Sequence, residues 1–311
     1  MAKKACICGL SVSRNTGLPG CESIADAEKR SIFVSTLAND GTENYIDLTS
    51  DALDLPWWTD KINEADTSKR YYPTPAMENV EDTRADAIFQ SFNSGKNIFI
   101  QEAPRTFLAL FPGASATFLG QLENFKCDNI SKYIVTKSGQ LVGYVDPNFP
   151  DRLYPLPLDK NTFYAKLEKA VEGTSIQAVS LAYEYDESLI DSQIRLIDPA
   201  DIGVNLRSER AISGLLDVVA TEIAVTATSI EVDLSYIYGS AKNKLAFKGA
   251  LPADFALENL TTPGVVPILT ADETSDGVYL ITFAAQTGTD EYQLSLNKDG
   301  FEMTPLTGQF V

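Results

Sequence analysis

The side chains able to do chemistry in this 311-residue chain are carboxylates, cysteines and aromatics, because the sequence contains no histidine. That absence removes the usual zinc sites, the Ser-His-Asp and Cys-His constellations and the commonest general base. Carboxylates remain. Glu184 with Asp186-Glu187 stands where a strand gives way to the next element, and Asp272-Glu273 with Asp276 gathers acids near a turn. Acid–base work needs two carboxylates held close in a cleft, and nothing in the spacing signals one. The 272–276 stretch lacks the ligand spacing of a helix-loop-helix calcium site. Solvated charge is the expectation at both places. Gly113, Gly120, Gly139 and Gly143 form neither a dinucleotide fingerprint nor a phosphate loop. Tyr183, Tyr185, Tyr236 and Tyr238 lack the basic partners of a single-strand nucleic-acid platform. No catalytic, cofactor-binding or metal residue is therefore nominated, no cofactor is expected, and the chain reads as a non-enzyme.

Three of the four cysteines, Cys6, Cys8 and Cys21, crowd the N-terminus, and the fourth is Cys127. Cys6 and Cys8 are too close for an ordinary structural disulfide, although either could meet Cys21. The expectation is a reduced, cytosolic protein with free thiols. Trp57-Trp58 is either an aromatic anchor, a sugar-stacking platform, or a structural pair with one ring in and one out; the last is expected.

The charge is unusual: 25 basic against 43 acidic residues, a net of −18. Such a chain has no basic face with which to hold nucleic acid tightly. An acidic wall would instead let phosphate backbones slide past without sticking. Lys3-Lys4 followed by a short apolar run imitates a secretion signal, but Arg14 and Asn15 interrupt it, and no segment has the length of a membrane span.

The elements that must position these residues are mostly strands. Residues 97–110 carry Ile98, Phe99, Ile100, Phe107, Leu108 and Leu110, all expected as core, and Pro112-Gly113 stops the run. Ala114, Thr117, Phe118, Gln121, Leu122 and Phe125 recur at helical spacing, which predicts a short helix with one apolar face. Residues 133–135 and 141–145 flank Lys137-Ser138-Gly139-Gln140 as a hairpin. Upstream, residues 23–29 read as a helical turn, 32–34 and 45–48 as strands around Asn39-Asp40-Gly41, 60–74 as a polar loop, and 81–92 as one strand. Downstream, residues 162–171 and 176–185 read as a strand pair around Glu172-Gly173-Thr174. In the second strand Val179, Leu181, Tyr183 and Tyr185 form an apolar face, and Ser180, Ala182 and Glu184 a small, polar one. Residues 186–196 have Leu189, Ile190, Gln193 and Ile194 on one side and predict a helix. From about 221 onward the chain is short strands with regular turns, with four basic and twelve acidic residues, which predicts an immunoglobulin-like sandwich. The domain expectation is an N-terminal arm and extended insert (1–80), a β-barrel or sandwich with a packed helix (81–220) and the sandwich (221–311), a mainly-β, α+β protein.

The order of elements over residues 85–197 resembles the tail tube proteins of long-tailed bacteriophages, particularly those that infect Bacteroidota. The residues carrying the likeness are NIFIQEAPRTFLALFPGASATFLGQLENF (97–125), YIVTKSGQLVGY (133–144), LYPLPLDKNTFYAKLEK (153–169) and IQAVSLAYEY (176–185). The resemblance implies a barrel or sandwich with a packed helix, six copies forming a ring, and rings stacking into a tube that conducts genome DNA. An immunoglobulin-like domain would decorate the outside. The implied partners are other copies of the chain, other phage tail proteins and DNA in transient, non-specific passage, with no membrane; the implied location is the virion tail, after synthesis in the host cytoplasm. Alternative readings are a capsid or baseplate protein, a carbohydrate-binding module built on Trp57-Trp58, and a carboxylate-dependent glycoside hydrolase.

Overall fold

The computed structural model describes residues 4–6, 21–23, 25–93, 95–170, 176–239, 242 and 244–311. It is mainly β and divides into two units, Met1–Gly214 and Leu215–Val311. The boundary thus falls before the expected 220/221, because the apolar run at 215–219 opens an unbroken strand of the second unit rather than closing the first.

In the first unit the strands are β1 (Lys4–Cys6), β2 (Cys21–Ser23), β3 (Glu28–Ser35), β4 (Ile46–Asp47), β5 (Tyr72–Pro73), β6 (Glu78–Arg84), β7 (Ile88–Ser91), β8 (Asn97–Gln101), β9 (Arg105–Pro112), β10 (Ile130–Thr136), β11 (Leu141–Tyr144), β12 (Arg152–Leu153), β13 (Leu156–Pro157), β14 (Tyr164–Glu168), β15 (Ala178–Glu184) and β16 (Ile194–Ile197), with helices α1 (Leu55–Ile62) and α2 (Ala116–Glu123). One sheet runs β16-β11-β10-β3-β5, with β13 also on β10; the other runs β14-β15-β9-β6. Their facing sides share a core: Phe33, Ile134 and Leu156 from the first meet Phe107, Phe111, Val179 and Leu181 from the second, and Leu122 of α2 packs on it. The result is a sandwich with a helix laid on it.

Every residue of β10 is buried, which marks a strand covered on both faces. Its second cover includes α1. Asp54 caps that helix by accepting a hydrogen bond from Trp57 N at 3.0 Å, and Pro56 sits in the first turn, where its missing N–H costs nothing. Trp58 and Tyr71 are both buried and meet edge-on, and Tyr71 meets Tyr133 of β10 at 5.8 Å between ring centroids.

Several expectations are corrected. The 1–80 stretch is not only an arm, since β3 lies inside the larger sheet beside β10. The described residues of 23–29 show no helical turn: β2 ends at Ser23 and β3 opens at Glu28. The segment around Trp57-Trp58 is helical, and α1 extends into the predicted 60–74 loop. β3 and β4 do not pair with each other, although a bridge joins Leu37 and Glu43 around the Asp40-Gly41 turn. Residues 186–196 are not a helix. Apart from a single 3-10 turn at Asp191–Gln193 they run into β16, because Ile194 to Ile197 find backbone partners along β11 that a helix would forgo. The 81–92 stretch is two strands, β6 and β7. The helix near 114–125 and the hairpin at 133–145 are as expected. Val179, Leu181 and Tyr183 of β15 are buried as expected, but its small, polar face is not open to water, since Ser180 is buried too. The turn at 172–174 lies outside the described residues, but the β14–β15 pairing it joins is antiparallel, as a hairpin requires.

The second unit contains β17 (Leu216–Val225), β18 (Ser229–Gly239), β19 (Lys244–Ala246), β20 (Phe255–Asn259), β21 (Gly264–Val266), β22 (Ile268–Ser275), β23 (Val278–Phe283), β24 (Glu291–Leu296), β25 (Phe301–Met303) and β26 (Leu306–Gln309). Sheets β22-β23-β18-β17-β25 and β21-β20-β24-β26 pack face to face. Alternation does the work: Ile230, Val232 and Leu234 of β18 point into the core, as do Tyr292, Leu294 and Leu296 of β24, and the residues between them do not. This is an immunoglobulin-like sandwich, with β17 and β25 paired in parallel.

Candidate assembly surface

The feature that sets this chain apart is a β-ribbon whose apolar residues have no core to enter. β6 and β9 pair as far as Arg84 opposite Arg105. Beyond them β7 and β8 continue as a separate two-stranded ribbon, with Phe89 opposite Phe99, Gln90 opposite Ile98 and Ser91 opposite Asn97. Among the described residues neither strand pairs with a third. At the end of the ribbon Phe92 N donates to Lys96 O at 3.0 Å, and Gly95 adopts a positive φ of 76° that favours glycine.

All nine residues of β7 and β8 are exposed. Ile88, Phe89, Ile98, Phe99 and Ile100 are each roughly half accessible, and Phe92 just beyond β7 is similar. The expectation that Ile98, Phe99 and Ile100 belong to the core is therefore wrong, whereas Phe107 in the same run is buried. Successive residues of a strand face opposite ways, so Phe99 lies on one side of the ribbon and Ile98 on the other, while the register shifts at Ile100, between the Phe89–Phe99 and Ile88–Gln101 pairs. A two-stranded ribbon that is apolar on both sides is marginal in water by itself.

The base of the ribbon is clamped by charge. Arg105 makes a two-point contact with Asp82, Nε to Oδ1 at 2.7 Å and Nη2 to Oδ2 at 2.9 Å. Burial works against that guanidinium, but the contact with Asp82 outweighs it and raises the Arg105 pKa above its ordinary value. Tyr185 donates to Asp82 Oδ2 at 3.1 Å, and the Arg105 guanidinium lies 4.8 Å from the Tyr185 ring centroid. Arg84 bridges Glu102 and Asp191, the latter at 2.9 Å. The apolar tip is thus carried on a fixed stem.

The other candidates do not assemble into sites. Trp58 is fully buried, and Trp57 meets it edge-on at 4.9 Å between centroids, so the pair offers no flat sugar platform. Asp276 pairs with Lys248 at 2.6 Å, and Glu273 accepts from Gly277 N at 3.1 Å. No group of three or more potential metal ligands occurs among the described residues. Asp186 accepts from Ser188 N at 2.8 Å, a local turn rather than half of an acid pair. Cys6 and Cys21 are backbone partners across β1 and β2, Cys127 is free and exposed, and Cys8 lies outside the described residues. No helix among the described residues is long and apolar enough to cross a membrane. Sequence reasoning missed the ribbon as a surface. The apolar residues were visible, but what covers them is not written in one chain.

No protein-family model matches this sequence, and no curated protein does. Among solved structures, the chain is similar to the FdeC adhesin of Escherichia coli at 10% identity, over 80% of this chain and 71% of that one, with a TM-score of 0.21, a likeness too small to carry an argument.

Proposed function

We propose that this chain is a self-assembling structural protein whose copies form the stacked rings of a phage tail tube. The observation that carries the reading is the ribbon of β7 and β8, six large apolar side chains held out from the first unit and each about half exposed. Monomeric proteins rarely keep such a patch exposed. Half-exposed, six such side chains would release roughly 5–9 kcal/mol on burial, against an association cost of about 4–15 kcal/mol. The ribbon alone does not hold a ring together, so further contact is required. The edge strands β14 and β6 of the smaller sheet supply unpaired backbone for it.

Heterologous contacts of this kind close into rings when the rotation allows, and identical rings stack into a filament. The net charge of −18 fits a conduit for DNA, since an acidic lining gives phosphates nothing to bind. The chain on this reading sits in the virion tail beside other tail proteins and carries out no catalysis.

Negative-stain electron microscopy of the purified protein over a concentration series tests this. Rings or tubes with a central channel are expected. A monodisperse monomer at every concentration overturns the reading, and closed shells would reassign the protein to a capsid.

A further inference from the structure

Glu28 and Lys132 form the one ion pair among those described in which both side chains are almost wholly buried, at 3% and 0% exposure. Lys132 Nζ lies 2.9 Å from Glu28 Oε2 and 3.1 Å from Oε1. It sits 3.8 Å from the Phe107 ring centroid and 5.1 Å from those of Tyr183 and Tyr185. Ser31 Oγ donates to Glu28 Oε1 at 2.6 Å. The arrangement is built rather than incidental. By simple alternation Glu28 would share the face of Arg30 and Ile32, but a register shift between Val135 and Thr136 turns it to the face of Ser31.

A buried ion pair is a poor source of stability, because two charges leave water for one contact. The same confinement favours a different outcome. We propose that Glu28 and Lys132 are joined in the mature protein by an amide crosslink that forms without an enzyme. A proton passes from Nζ to the carboxylate, giving a neutral amine and a carboxylic acid. Nζ then attacks Cδ of Glu28, forming the N–C bond, and Ser31 Oγ–H stabilises the oxygen that gains charge. One C–O bond breaks, the amine's remaining surplus proton joins the departing hydroxyl, and one water is released. No oxidant, nucleotide or cofactor is needed. An open cavity of about 510 Å³ that reaches Glu28, Asp82 and Arg105 gives that water an exit.

Burial pushes the Glu28 carboxyl up and the Lys132 amine down, both towards the neutral forms the step requires. Neighbouring reactive groups fixed in contact gain a large effective concentration, which is what lets an uncatalysed condensation proceed. The crosslink would tie β3 to β10 and close a loop spanning 104 residues of sequence. The inference is independent of assembly, since a monomer would carry the bond equally well.

Intact-mass spectrometry of the denatured full chain tests it, followed by peptide mapping. The expected mass lies about 18 Da, one water, below the sequence value. A branched peptide should join Glu28 to Lys132, and Lys132→Met should restore the full mass. An unmodified wild-type mass overturns the proposal, as does an 18 Da deficit that survives in Lys132→Met or maps to another pair of residues. Should Lys132→Met fail to fold, the wild-type mass and its branched peptide decide the question alone.

Discussion

Phe89 and Phe99 face each other across the exposed ribbon with ring centroids 5.9 Å apart, edge to face, and roughly half of each side chain is open to water. Aromatic pairs of this geometry contribute about 0.5–1.5 kcal/mol beyond the area they bury, so the pair keeps the ribbon in register. It does not hide the ribbon from water. Replacing both by Ser is expected to leave the thermal midpoint of the first unit within a few degrees of wild type while abolishing rings in negative stain. Loss of folding with assembly intact would be the opposite result, and circular dichroism beside microscopy separates the two.

Arg30 is a fully buried cation. It donates to the backbone oxygens of Thr74 at 2.6 Å, Leu206 at 3.0 Å and Ile212 at 3.1 Å. Burial pulls its pKa down to about 10, which leaves it protonated at neutral pH. Arg30→Met removes three charge-assisted bonds and strands three carbonyls, a loss of about 3–5 kcal/mol. Arg30→Lys should recover only part of it, because an ammonium cannot reproduce the planar fork. Urea unfolding read by a probe in each unit should show the first unit's midpoint falling and the second unit's unchanged.

Gly143 marks where β11 passes the chain at 153–154. A Cβ there would overlap the Tyr154 carbonyl oxygen and come within 2.9 Å of Leu153 Cγ. Tyr144 N and Tyr154 O hold that approach with a 2.9 Å hydrogen bond. Gly143→Ala should therefore destabilise the first unit by about 1–3 kcal/mol. Gly120, inside α2 with open space around its missing Cβ, should behave oppositely, Gly120→Ala stabilising by about 0.5–1 kcal/mol. Calorimetry of the two variants distinguishes crowding from a general effect of glycine replacement.

The Asp47 carboxylate accepts from the Thr49 hydroxyl at 2.7 Å, Thr49 N at 2.8 Å and Ser50 N at 3.1 Å. These bonds, the Thr49 hydroxyl's first, lower its pKa from 3.8 to about 2. Because the folded value is depressed, its contribution is complete above the unfolded value of 3.8 and disappears as the pH falls through about 2. Asp47→Ala should thus lower the urea midpoint at neutral pH and make progressively less difference between those two values. A gap between variant and wild type that stays constant across that window would contradict the assignment.

How much of this was legible depended on whether the deciding partner was near in sequence. Residues 133–145 read as a hairpin because both strands and their Gly139 turn are adjacent, and the second unit read as a sandwich because strands such as β18, β23 and β24 alternate clearly. The 3-4 spacing at 116–123 likewise sufficed for α2. Residues 189–197 misled because their apolar spacing fits a helix, while the partner that made Ile194–Ile197 a strand, β11, lies about fifty residues upstream. For α1 the signals were present in Asp54 and Pro56, but the two tryptophans drew attention to contact chemistry instead. The candidate site was illegible for a deeper reason. Ile98, Phe99 and Ile100 have the composition of core, and one sequence does not distinguish a side chain buried in its own fold from one that waits for a neighbour.

The clasp made by Arg30 sets a timetable for biosynthesis. Its most distant acceptor, Ile212, is 182 residues downstream. At about 5–20 residues per second, a ribosome needs roughly 10–35 s to supply it. Once β10 has emerged β3 can pair with it while Arg30 holds only the Thr74 oxygen and still lacks those of Leu206 and Ile212, so the nascent first unit remains unlatched until its final stretch has emerged. Premature joining of neighbouring nascent chains would then meet an unfinished body, which gives the order of synthesis a part in keeping assembly and folding apart.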